Sequence, residues 1–343
     1  MSPGEALKVF IASYVRKNKI DKGLENEVPK KWEKYGDFVL FDERTFNSDV
    51  WKCQGPQFWH NVANILKCKR IGIKSKIKSD GFRTPNVTIV LGDDPWIMHK
   101  DNEIIHTWHV KKNMFSAGNS KERHRIANLS CENEVVVDLF AGIGYFTLPF
   151  LIHAKASFVH ACEWNPVACI ALKRNLELNN VLGKCNIYEG DNRVICPRGV
   201  ANRVNLGLIP TSEGYWKIAC EALLNEGGIL HIHENVETKQ LVNFCPSCQL
   251  LTSEIDSNEL KKNIYIHSQK RILQSGDINI NWKYNQWFTK GVHILHSLIQ
   301  ILTSVNDSNI WICNIEDVNY VKSYAPHVHH VVFDVRIENL QKS

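Results

Sequence analysis

The segment DLFAGIGYFTLP, Asp138 to Pro149, leaves few folds open to this chain. It follows a short apolar run, Glu134–Asp138 (EVVVD), of the kind that forms a buried parallel strand. Gly142 and Gly144 allow the backbone to turn and to approach a ligand at the carboxyl edge of a sheet. A dinucleotide-binding turn needs a third small residue, but Thr147 occupies that position. The segment therefore predicts an α/β ligand site and argues against a nicotinamide or flavin cofactor.

The chain after residue 113 alternates between strand and helix patterns. A helix is predicted over Asn165–Asn179, and a longer one carries Ile294, Leu295, Leu298 and Leu302 at helical spacing. Strands are predicted at Ser157–Glu163, Cys185–Glu189, Arg203–Ile209, Gly228–His233, Trp311–Ile315 and Val328–Val335. Strands separated by helices favour an open, mostly parallel sheet with right-handed crossovers.

Acidic and amide residues follow three of these strands. Asp138 ends the first, Glu163 ends the second, and Asp191 with Asn192 follows the third. A carboxylate after the second strand can accept hydrogen bonds from both hydroxyls of a ribose, and a polar side chain after the third can bond the edge of an adenine. Singly, such residues are more often helix caps. Together with the glycine turn they predict an S-adenosylmethionine (SAM) site.

Composition excludes several other classes of protein. Hydrophobic residues at 44% and charged residues at 22% are ordinary for a folded chain, and no apolar run reaches the about 18 residues of a membrane span. Glu5 and Lys8 interrupt what would have to be the apolar core of a secretory signal. Eleven cysteines form no short-range framework, which favours reduced thiols in the cytoplasm. The single CxxC motif, Cys245 to Cys248, lacks a second pair, so no metal is expected. Since no segment is long and apolar enough to span a bilayer, no membrane partner is expected either.

Basic residues are concentrated near the start of the chain. Residues 1–112 hold 20 Lys and Arg against 14 Asp and Glu, whereas the rest of the chain holds 21 against 22. The first 112 residues predict a small α+β domain, with helices around Leu7–Tyr14 and Gln57–Leu66 and a strand at Phe38–Phe41. The run from Lys67 to Lys78 is a solvated face or a contact for a polyanion. Further candidates for phosphate contact are Lys30, Lys31, Arg83 and Lys322.

Several longer motifs resemble one family, in order and along nearly the whole chain. They are DGFRTPNVTIVLGD (Asp80–Asp93), MFSAGNSKERHR (Met114–Arg125), VVDLFAGIGYFTLPFLIHA (Val136–Ala154), VHACEWNP (Val159–Pro166), GDNR (Gly190–Arg193), NLGLIPTSEGYW (Asn205–Trp216), GGILHIHENV (Gly227–Val236) and VKSYAPHVHHVVFDV (Val321–Val335). The family is tRNA wybutosine-synthesizing protein 2, the aminocarboxypropyltransferase that acts on phenylalanine tRNA. More distantly, the chain is similar to the tRNA guanine-N1 methyltransferases.

The resemblance implies a fold, an activity and a set of cofactor contacts. A class I methyltransferase-like Rossmann domain over residues 113–343, whose mostly parallel sheet has an antiparallel last strand, would follow a tRNA-contacting domain over residues 1–112. The enzyme would transfer the 3-amino-3-carboxypropyl group of SAM to 4-demethylwyosine, 3′ of the anticodon of tRNA(Phe), and release 5′-methylthioadenosine. The implied cofactor contacts are Ser116, Arg123, Asp138, Gly142, Glu163, Asp191 and Asn192.

One of these contacts departs from the pattern of the family, and a further position that is not among them, Gly207, discriminates between the two related families. Arg123 stands where relatives are expected to carry lysine, and its planar guanidinium suits the two oxygens of the methionyl carboxylate. Gly207 stands where the methyltransferases are expected to place an asparagine beside the reacting guanine, which favours aminocarboxypropyl transfer over methylation. A guanine-N1 methyltransferase and a non-reacting tRNA-binding relative are the alternatives.

Other residues have no assigned chemistry at this stage. The residue that takes the proton from the ring carbon is not identified, so no catalytic residue is predicted. Tyr145, Phe146 and Trp216 are speculative stacking partners for an exposed base. His231 and His233 share one face of a strand, where a hydrogen-bonded structural role is favoured over contact with substrate.

Overall fold

The computed structural model describes residues 1–76, 84–115, 117–239, 272–273, 285–305 and 309–341. The chain divides into two compact units, Met1–Phe115 and Ser116–Ser343. This division lies close to the sequence-predicted boundary between residues 112 and 113. The assignment of the first unit to tRNA contact stays a prediction.

The first unit combines helices with a mixed sheet and a separate hairpin. Its helices are α1 (Pro3–Lys17), α2 (Asp49–Lys52) and α3 (Pro56–Leu66), with a 3₁₀ turn at Lys22–Glu27. Its strands are β1 (Glu33–Tyr35), β2 (Phe38–Asp42), β3 (Arg70–Ser75), β4 (Asn86–Leu91), β5 (Trp96–Asp101) and β6 (Ile104–His109). Strands β1 to β4 form one sheet in that order, in which only β2 and β3 are parallel, and β5 pairs with β6.

Local sequence explains where α1 and α3 begin. The hydroxyl of Ser2 accepts a hydrogen bond from the backbone N–H of Glu5, whose carboxylate accepts one from the N–H of Ser2, so the two residues form a capping box. Proline occupies the first turn of both helices, where its missing N–H has no cost. The apolar faces of the helices, which include Leu7 and Val62, are buried in one core with the sheet.

The second unit is a three-layer α/β domain. Its helices are α4 (Ser120–Ala127), α5 (Thr147–Ile152), α6 (Pro166–Leu178), α7 (Asn192–Ile195), α8 (Trp216–Ala222) and α9 (Asn285–Val305), with 3₁₀ turns at Ala117–Asn119, Leu182–Lys184 and Glu213–Tyr215. Its strands are β7 (Val135–Asp138), β8 (Phe158–Glu163), β9 (Cys185–Glu189), β10 (Arg203–Leu206), β11 (Gly227–Glu237), β12 (Ile272–Leu273), β13 (Trp311–Ala325) and β14 (Val328–Asn339).

These strands form one sheet in the order β12-β13-β14-β11-β10-β7-β8-β9. Strands β7 to β11 run parallel to one another, whereas β14 runs antiparallel to both β11 and β13. The predicted mostly parallel sheet with an antiparallel last strand is therefore confirmed. Strands β7, β8, β9 and β10 all end at one edge of the sheet, which brings the polar residues that follow them together.

Several predicted strands have different lengths in the structure. Those predicted at Trp311–Ile315 and Val328–Val335 continue to Ala325 and Asn339. The strand predicted at Arg203–Ile209 ends at Leu206, so Gly207 lies in the loop after it. The strand predicted at Gly228–His233 continues to Glu237 because β14 pairs with it along its whole length, from Glu338 to Val328. This extension could not be foreseen from the apolar run alone.

A row of buried polar residues crosses the centre of the sheet, and we call it the polar row. Asp138 on β7, Asn205 on β10, His231 on β11 and Asp334 on β14 are Cα partners in successive strand pairs. None of the four is more than 6% exposed. Because buried polar groups must find hydrogen-bond partners, the row fixes contacts between strands that are distant in sequence.

Candidate cofactor site

The turn after β7 is shaped by its two glycines. Gly142 has a φ of +56° and Gly144 a φ of +100°, both in the left-handed region. A Cβ at Gly142 would lie 2.9 Å from the ring of Tyr145, and one at Gly144 would lie 2.9 Å from Leu172. Glycine is therefore required at both positions for conformational and steric reasons.

Glu163, at the end of β8, holds this turn in place. Its Oε2 accepts a hydrogen bond of 2.7 Å from the backbone N–H of Gly142, and its Oε1 accepts one of 2.8 Å from the N–H of Asn165. Burial raises the pKa of the Glu163 carboxyl, and the nearby Asp138 raises it further. A backbone hydrogen bond from Trp164 also lowers the pKa of this carboxyl, so backbone N–H groups use much of its acceptor capacity. Its contact with the hydroxyls of a ribose stays a prediction.

Asn192 and Asp191 follow β9 at the start of α7. The Nδ2 of Asn192 donates a hydrogen bond of 2.8 Å to the carbonyl of Leu139. Its Oδ1 is buried and has no hydrogen-bond partner among the described residues, which suits a ligand that donates a hydrogen bond. An orphaned acceptor at this edge fits the predicted contact with an adenine.

Asp191 has a partner that the sequence did not predict. It caps α7 by accepting from the N–H of Arg193 at 3.0 Å, and it pairs with the Arg193 guanidinium at 2.5 Å. The side-chain hydrogen bonds from Arg193 lower the pKa of Asp191. The guanidinium also lies 5.6 Å from the ring centre of Tyr215. The capping interpretation of Asp191 is therefore realised, and its contact with adenine stays a prediction.

Asp138 is completely buried and bonds other parts of the protein. Its Oδ1 accepts from the Nδ2 of Asn205 at 3.0 Å, and its Oδ2 accepts from the hydroxyl of Thr147 at 2.7 Å. Burial raises the pKa of this carboxyl. Asp138 therefore ties the turn, the start of α5 and β10 together, while the direct cofactor contact stays a prediction. Thr147, which argued against a dinucleotide turn, is the residue that anchors α5 here.

Two further predicted contacts lie before β7. Arg123 is on α4 with only 4% of its surface exposed. A buried guanidinium of this kind is suited to a carboxylate. Ser116 lies outside the described residues.

Gly207 lies directly after β10, where a side chain would be crowded. A Cβ at this position would be 3.0 Å from the ring of Phe146 and 3.3 Å from the Nδ2 of Asn205. The Phe146 ring, 4% exposed, is itself 5.2 Å from the ring of His233. The ring of Phe146, which follows the glycine turn, thus occupies the space beside the Cα of Gly207.

The structure corrects or limits the predicted RNA contacts. Trp216 and Phe146 as stacking partners are wrong, because they are buried, with 0% and 4% of their surfaces exposed. The indole N–H of Trp216 also bonds the hydroxyl of Ser212. In the first unit Lys30 and Lys31 are exposed. Arg70 instead forms ion pairs with Asp37 at 2.6 Å and with Asp94 at 3.2 Å. Lys74 forms an ion pair with Glu33. Lys78 and Arg83 lie outside the described residues, and Lys322 is half-buried.

The predicted structural roles of His231 and His233 are confirmed by their burial and by hydrogen bonds to Asp334 and His330. The parts of the chain that the structure describes contain no cluster of His, Cys, Asp or Glu suited to a metal ion. The motif from Cys245 to Cys248 lies outside them. Among the same residues, no helix has the length and apolarity needed to cross a bilayer.

The fold and the site define a SAM-dependent transferase of the class I methyltransferase-like type. Residues 97–269 match the family model "TRM5/TYW2 methyltransferase domain", and residues 12–95 match "TYW2 N-terminal domain". The tRNA wybutosine-synthesizing protein 2 homolog of Homo sapiens is 42% identical over 345 residues, which cover 97% of this chain and 75% of that protein. The Danio rerio homolog is 41% identical and covers 98% and 78%, respectively. The chain belongs to the tRNA wybutosine-synthesizing protein 2 family.

Solved structures agree with this assignment. The structure of M. jannaschii TYW2 in complex with AdoMet is 25% identical, with a TM-score of 0.57 over 90% of this chain and 100% of that one. P. horikoshii TYW2 in complex with MeSAdo has the same fold, with a TM-score of 0.65 over 96% and 99%. The family, the fold class and SAM as group donor, all predicted from the sequence, are confirmed. The predicted aminocarboxypropyl transfer in wybutosine biosynthesis agrees with this family.

Proposed function

We propose that the substrate of this transferase is 4-demethylwyosine in tRNA(Phe), at the base 3′ of the anticodon. A new carbon–carbon bond forms between the ring carbon of the base and the side-chain methylene of the cofactor next to sulfur. The bond between that methylene and sulfur breaks, and its electron pair leaves with sulfur as 5′-methylthioadenosine. The ring carbon then loses its proton.

SAM supplies a sulfonium leaving group with three carbons open to attack, so the choice among them is geometric. The residues near the carboxyl edge of the sheet fit the parts of such a cofactor. Glu163 would accept from the ribose hydroxyls, Asn192 would meet the adenine edge with its orphaned Oδ1, and Arg123 would bind the methionyl carboxylate. By fixing the cofactor at both ends, these residues select the carbon that faces the base, and orientation supplies much of the acceleration.

The packing around Gly207 is the observation that carries the choice of reaction. An asparagine at this position could hold a guanine edge for methylation, but a side chain there would meet the Phe146 ring at 3.0 Å. Residue 207 itself therefore presents no amide to the reacting base. This supports transfer of the larger group to a base that is already tricyclic.

Recognition of the tRNA would use the basic first unit. Lys30 and Lys31 are exposed and adjacent, so both ammonium groups are free of burial and accessible to phosphates. Each phosphate contact releases counterions and adds to the salt dependence of binding. Stacking of an exposed base on an aromatic ring would complete recognition, and half-buried Tyr145 is the remaining candidate.

The proposal is tested by incubating the protein with SAM and with tRNA from cells stalled at 4-demethylwyosine, and then identifying the nucleoside by-product. Release of 5′-methylthioadenosine, confined to tRNA(Phe), is the expected result. A tRNA(Phe) transcript with guanosine at the same position is the matched control and should give no product. S-adenosylhomocysteine from that transcript would instead establish a guanine-N1 methyltransferase. Bound SAM with neither by-product would establish a non-reacting tRNA-binding relative.

A further inference from the structure

Helix α4 has little apolar surface with which to pack. Its sequence, SKERHRIA, contains one large apolar residue, Ile126, which is fully buried. Two charged residues of the helix are nevertheless buried, Glu122 with 1% and Arg123 with 4% of their surfaces exposed. Because α4 buries little apolar surface, its position on the domain depends on polar contacts.

Arg125 supplies the strongest of these contacts. Its guanidinium bonds both carboxylate oxygens of Glu122, at 2.7 Å and 2.9 Å, within the helix. It also bonds both oxygens of Asp334 on β14, at 2.6 Å and 3.3 Å. Paired bonds between a guanidinium and a carboxylate are strong and fix direction as well as distance. Asp334 therefore sets where α4 lies on the sheet.

A second contact joins α4 to the same hairpin of β13 and β14. The ammonium group of Lys121 donates to the backbone carbonyl of Tyr320 on β13 and lies 5.2 Å from the centre of the Tyr320 ring. Lys121 and Arg125, which lie two residues before and two residues after Arg123, thus both attach the helix to the hairpin.

Asp334 is itself held from the sheet side. Its Oδ1 accepts from the Nδ1 of His231 at 2.6 Å, and the Nε2 of His231 lies 3.1 Å from the Nη1 of Arg203. Since arginine only donates, the Nε2 must accept, and the proton of a neutral His231 must be on Nδ1. Arg203 in turn bonds both oxygens of Glu134, at 2.7 Å and 2.9 Å. The position of Asp334 is therefore fixed by the polar row, independently of α4.

We infer that Asp334 is a positioning residue that, through Arg125, holds α4 so that Arg123 meets the methionyl carboxylate of SAM. The inference rests on the proposed role of Arg123. A loss of this tether shifts or rotates α4, and Arg123 moves with it. Glu163 and Asn192 belong to other elements and keep their places at the nucleoside end. The effect is therefore confined to the aminocarboxypropyl end of the cofactor.

The test compares the dissociation constants of SAM and of 5′-methylthioadenosine, which lacks the aminocarboxypropyl group, by calorimetry on the full chain. Asp334→Asn should weaken SAM about tenfold, because small misplacements of a positioned group have large effects, and should leave 5′-methylthioadenosine unchanged. Arg123→Met should show the same selectivity. The double variant should be no weaker than Arg123→Met alone, since both changes remove one interaction.

The matched control is Glu316→Gln, which makes the same chemical change on the same hairpin, where Glu316 pairs with Arg336. It should leave both dissociation constants unchanged. If Asp334→Asn does not fold, Arg125→Gln removes the tether from the helix side and should give the same selective loss.

The outcomes distinguish the positioning role of Asp334 from the contact of Arg123 with SAM. Equal weakening of both ligands by Asp334→Asn would mean a general structural role and would overturn the inference, as would additive losses in the double variant. A wild-type protein that fails to bind SAM, or an Arg123→Met variant with unchanged SAM affinity, would overturn the assignment of Arg123 on which it rests. Selective loss in Arg123→Met with wild-type behaviour in Asp334→Asn would overturn only the positioning role.

Discussion

Glu163 holds two backbone segments in the structure, in addition to its predicted contact with the cofactor. One oxygen fixes the glycine turn through Gly142, and the other fixes the entry to α6 through Asn165. The contact of the same carboxylate with a ribose is the predicted cofactor role. Removal of the whole side chain, as in Glu163→Ala, would lose both backbone contacts, whereas Glu163→Gln keeps one acceptor oxygen and the size of the side chain, so it is the more conservative variant.

Glu163→Gln should raise the dissociation constant of SAM about 30-fold, because the amide cannot replace a charged acceptor, and a charged hydrogen bond contributes about 2 kcal/mol. Calorimetry measures the change. Glu189→Gln, at the end of the neighbouring strand β9, is the control and should bind SAM normally. An unchanged affinity in Glu163→Gln would remove the ribose assignment.

Gly207 gives a second prediction at the scale of a residue. Gly207→Ala should slow formation of 5′-methylthioadenosine about tenfold, because the added Cβ lies 3.0 Å from the Phe146 ring and such overpacking costs about 1 to 3 kcal/mol. A smaller side chain in Phe146→Leu should restore part of the rate in the double variant. Gly214→Ala, in the same loop but with no atom within 4 Å of its added Cβ, should react normally.

At the scale of the elements, apolar patterns predicted the strands well where a strand depends on its own residues. Strand β9 runs over Cys185–Glu189, as its sequence indicates, and helix α6 over Pro166–Leu178 lies within the predicted range. The end of β11 was missed because it depends on pairing with β14, about 100 residues away. The length of such a strand depends on how far its partner continues, which the sequence of the strand alone does not report.

Contacts between elements that are distant in sequence also explain why most residues that support the candidate site were not predicted. A pattern of acidic and amide residues after strands leads to Glu163, Asp191 and Asn192, whose cofactor contacts stay predictions. The partners Arg193 and Asp334 carry no signal of that kind, since one is an ordinary exposed arginine and the other lies in an apolar strand. Only the folded sheet brings Asp334 beside His231 and Arg125.

The pairing of β11 with β14 also creates a pH-sensitive element. Burial lowers the pKa of His330 to about 4, and burial together with His330 lowers the pKa of His233 well below its usual value. A histidine with a lowered pKa in the folded state is protonated first in the unfolded chain, so its contribution to stability is complete above about pH 6.5 and is lost as the pH falls towards the folded value. Glu122 and Asp138, whose pKa values are raised by burial, act in the opposite sense.

A comparison of His330→Gln with wild type isolates the contribution of His330 to the pH dependence of stability. As the pH falls from 7.5 to about 4, the free energy of unfolding of His330→Gln should improve relative to wild type by about 3 kcal/mol at most, since one pKa unit corresponds to about 1.4 kcal/mol. Urea unfolding at a series of pH values measures the difference. His327→Gln, an exposed change at the turn between β13 and β14, should follow wild type at every pH. A pH-independent difference for His330→Gln would contradict the prediction.

At the scale of the whole molecule, charge and cofactor chemistry belong to different units. All of the basic excess of the chain lies in its first 112 residues, whereas the predicted cofactor contacts all follow residue 115. Several of the basic side chains there, including Arg70 and Lys74, are already neutralised by neighbouring carboxylates. The number of lysines and arginines therefore overstates the number of possible phosphate contacts. The exposed pair Lys30 and Lys31 is the better choice for mutation.

Reversal of this pair, in Lys30→Glu with Lys31→Glu, should weaken binding of tRNA(Phe) at least about tenfold and reduce the slope of log affinity against log salt by about 1.5, as loss of two phosphate contacts implies. The affinity of SAM should not change, because its site is in the other unit. Lys155→Glu with Lys184→Glu makes the same change in charge at residues just before β8 and β9, at the edge of the sheet opposite the cofactor. If this control pair lowers the affinity and the salt slope equally, tRNA responds to net charge alone. A loss specific to Lys30 and Lys31 assigns the contact to the first unit.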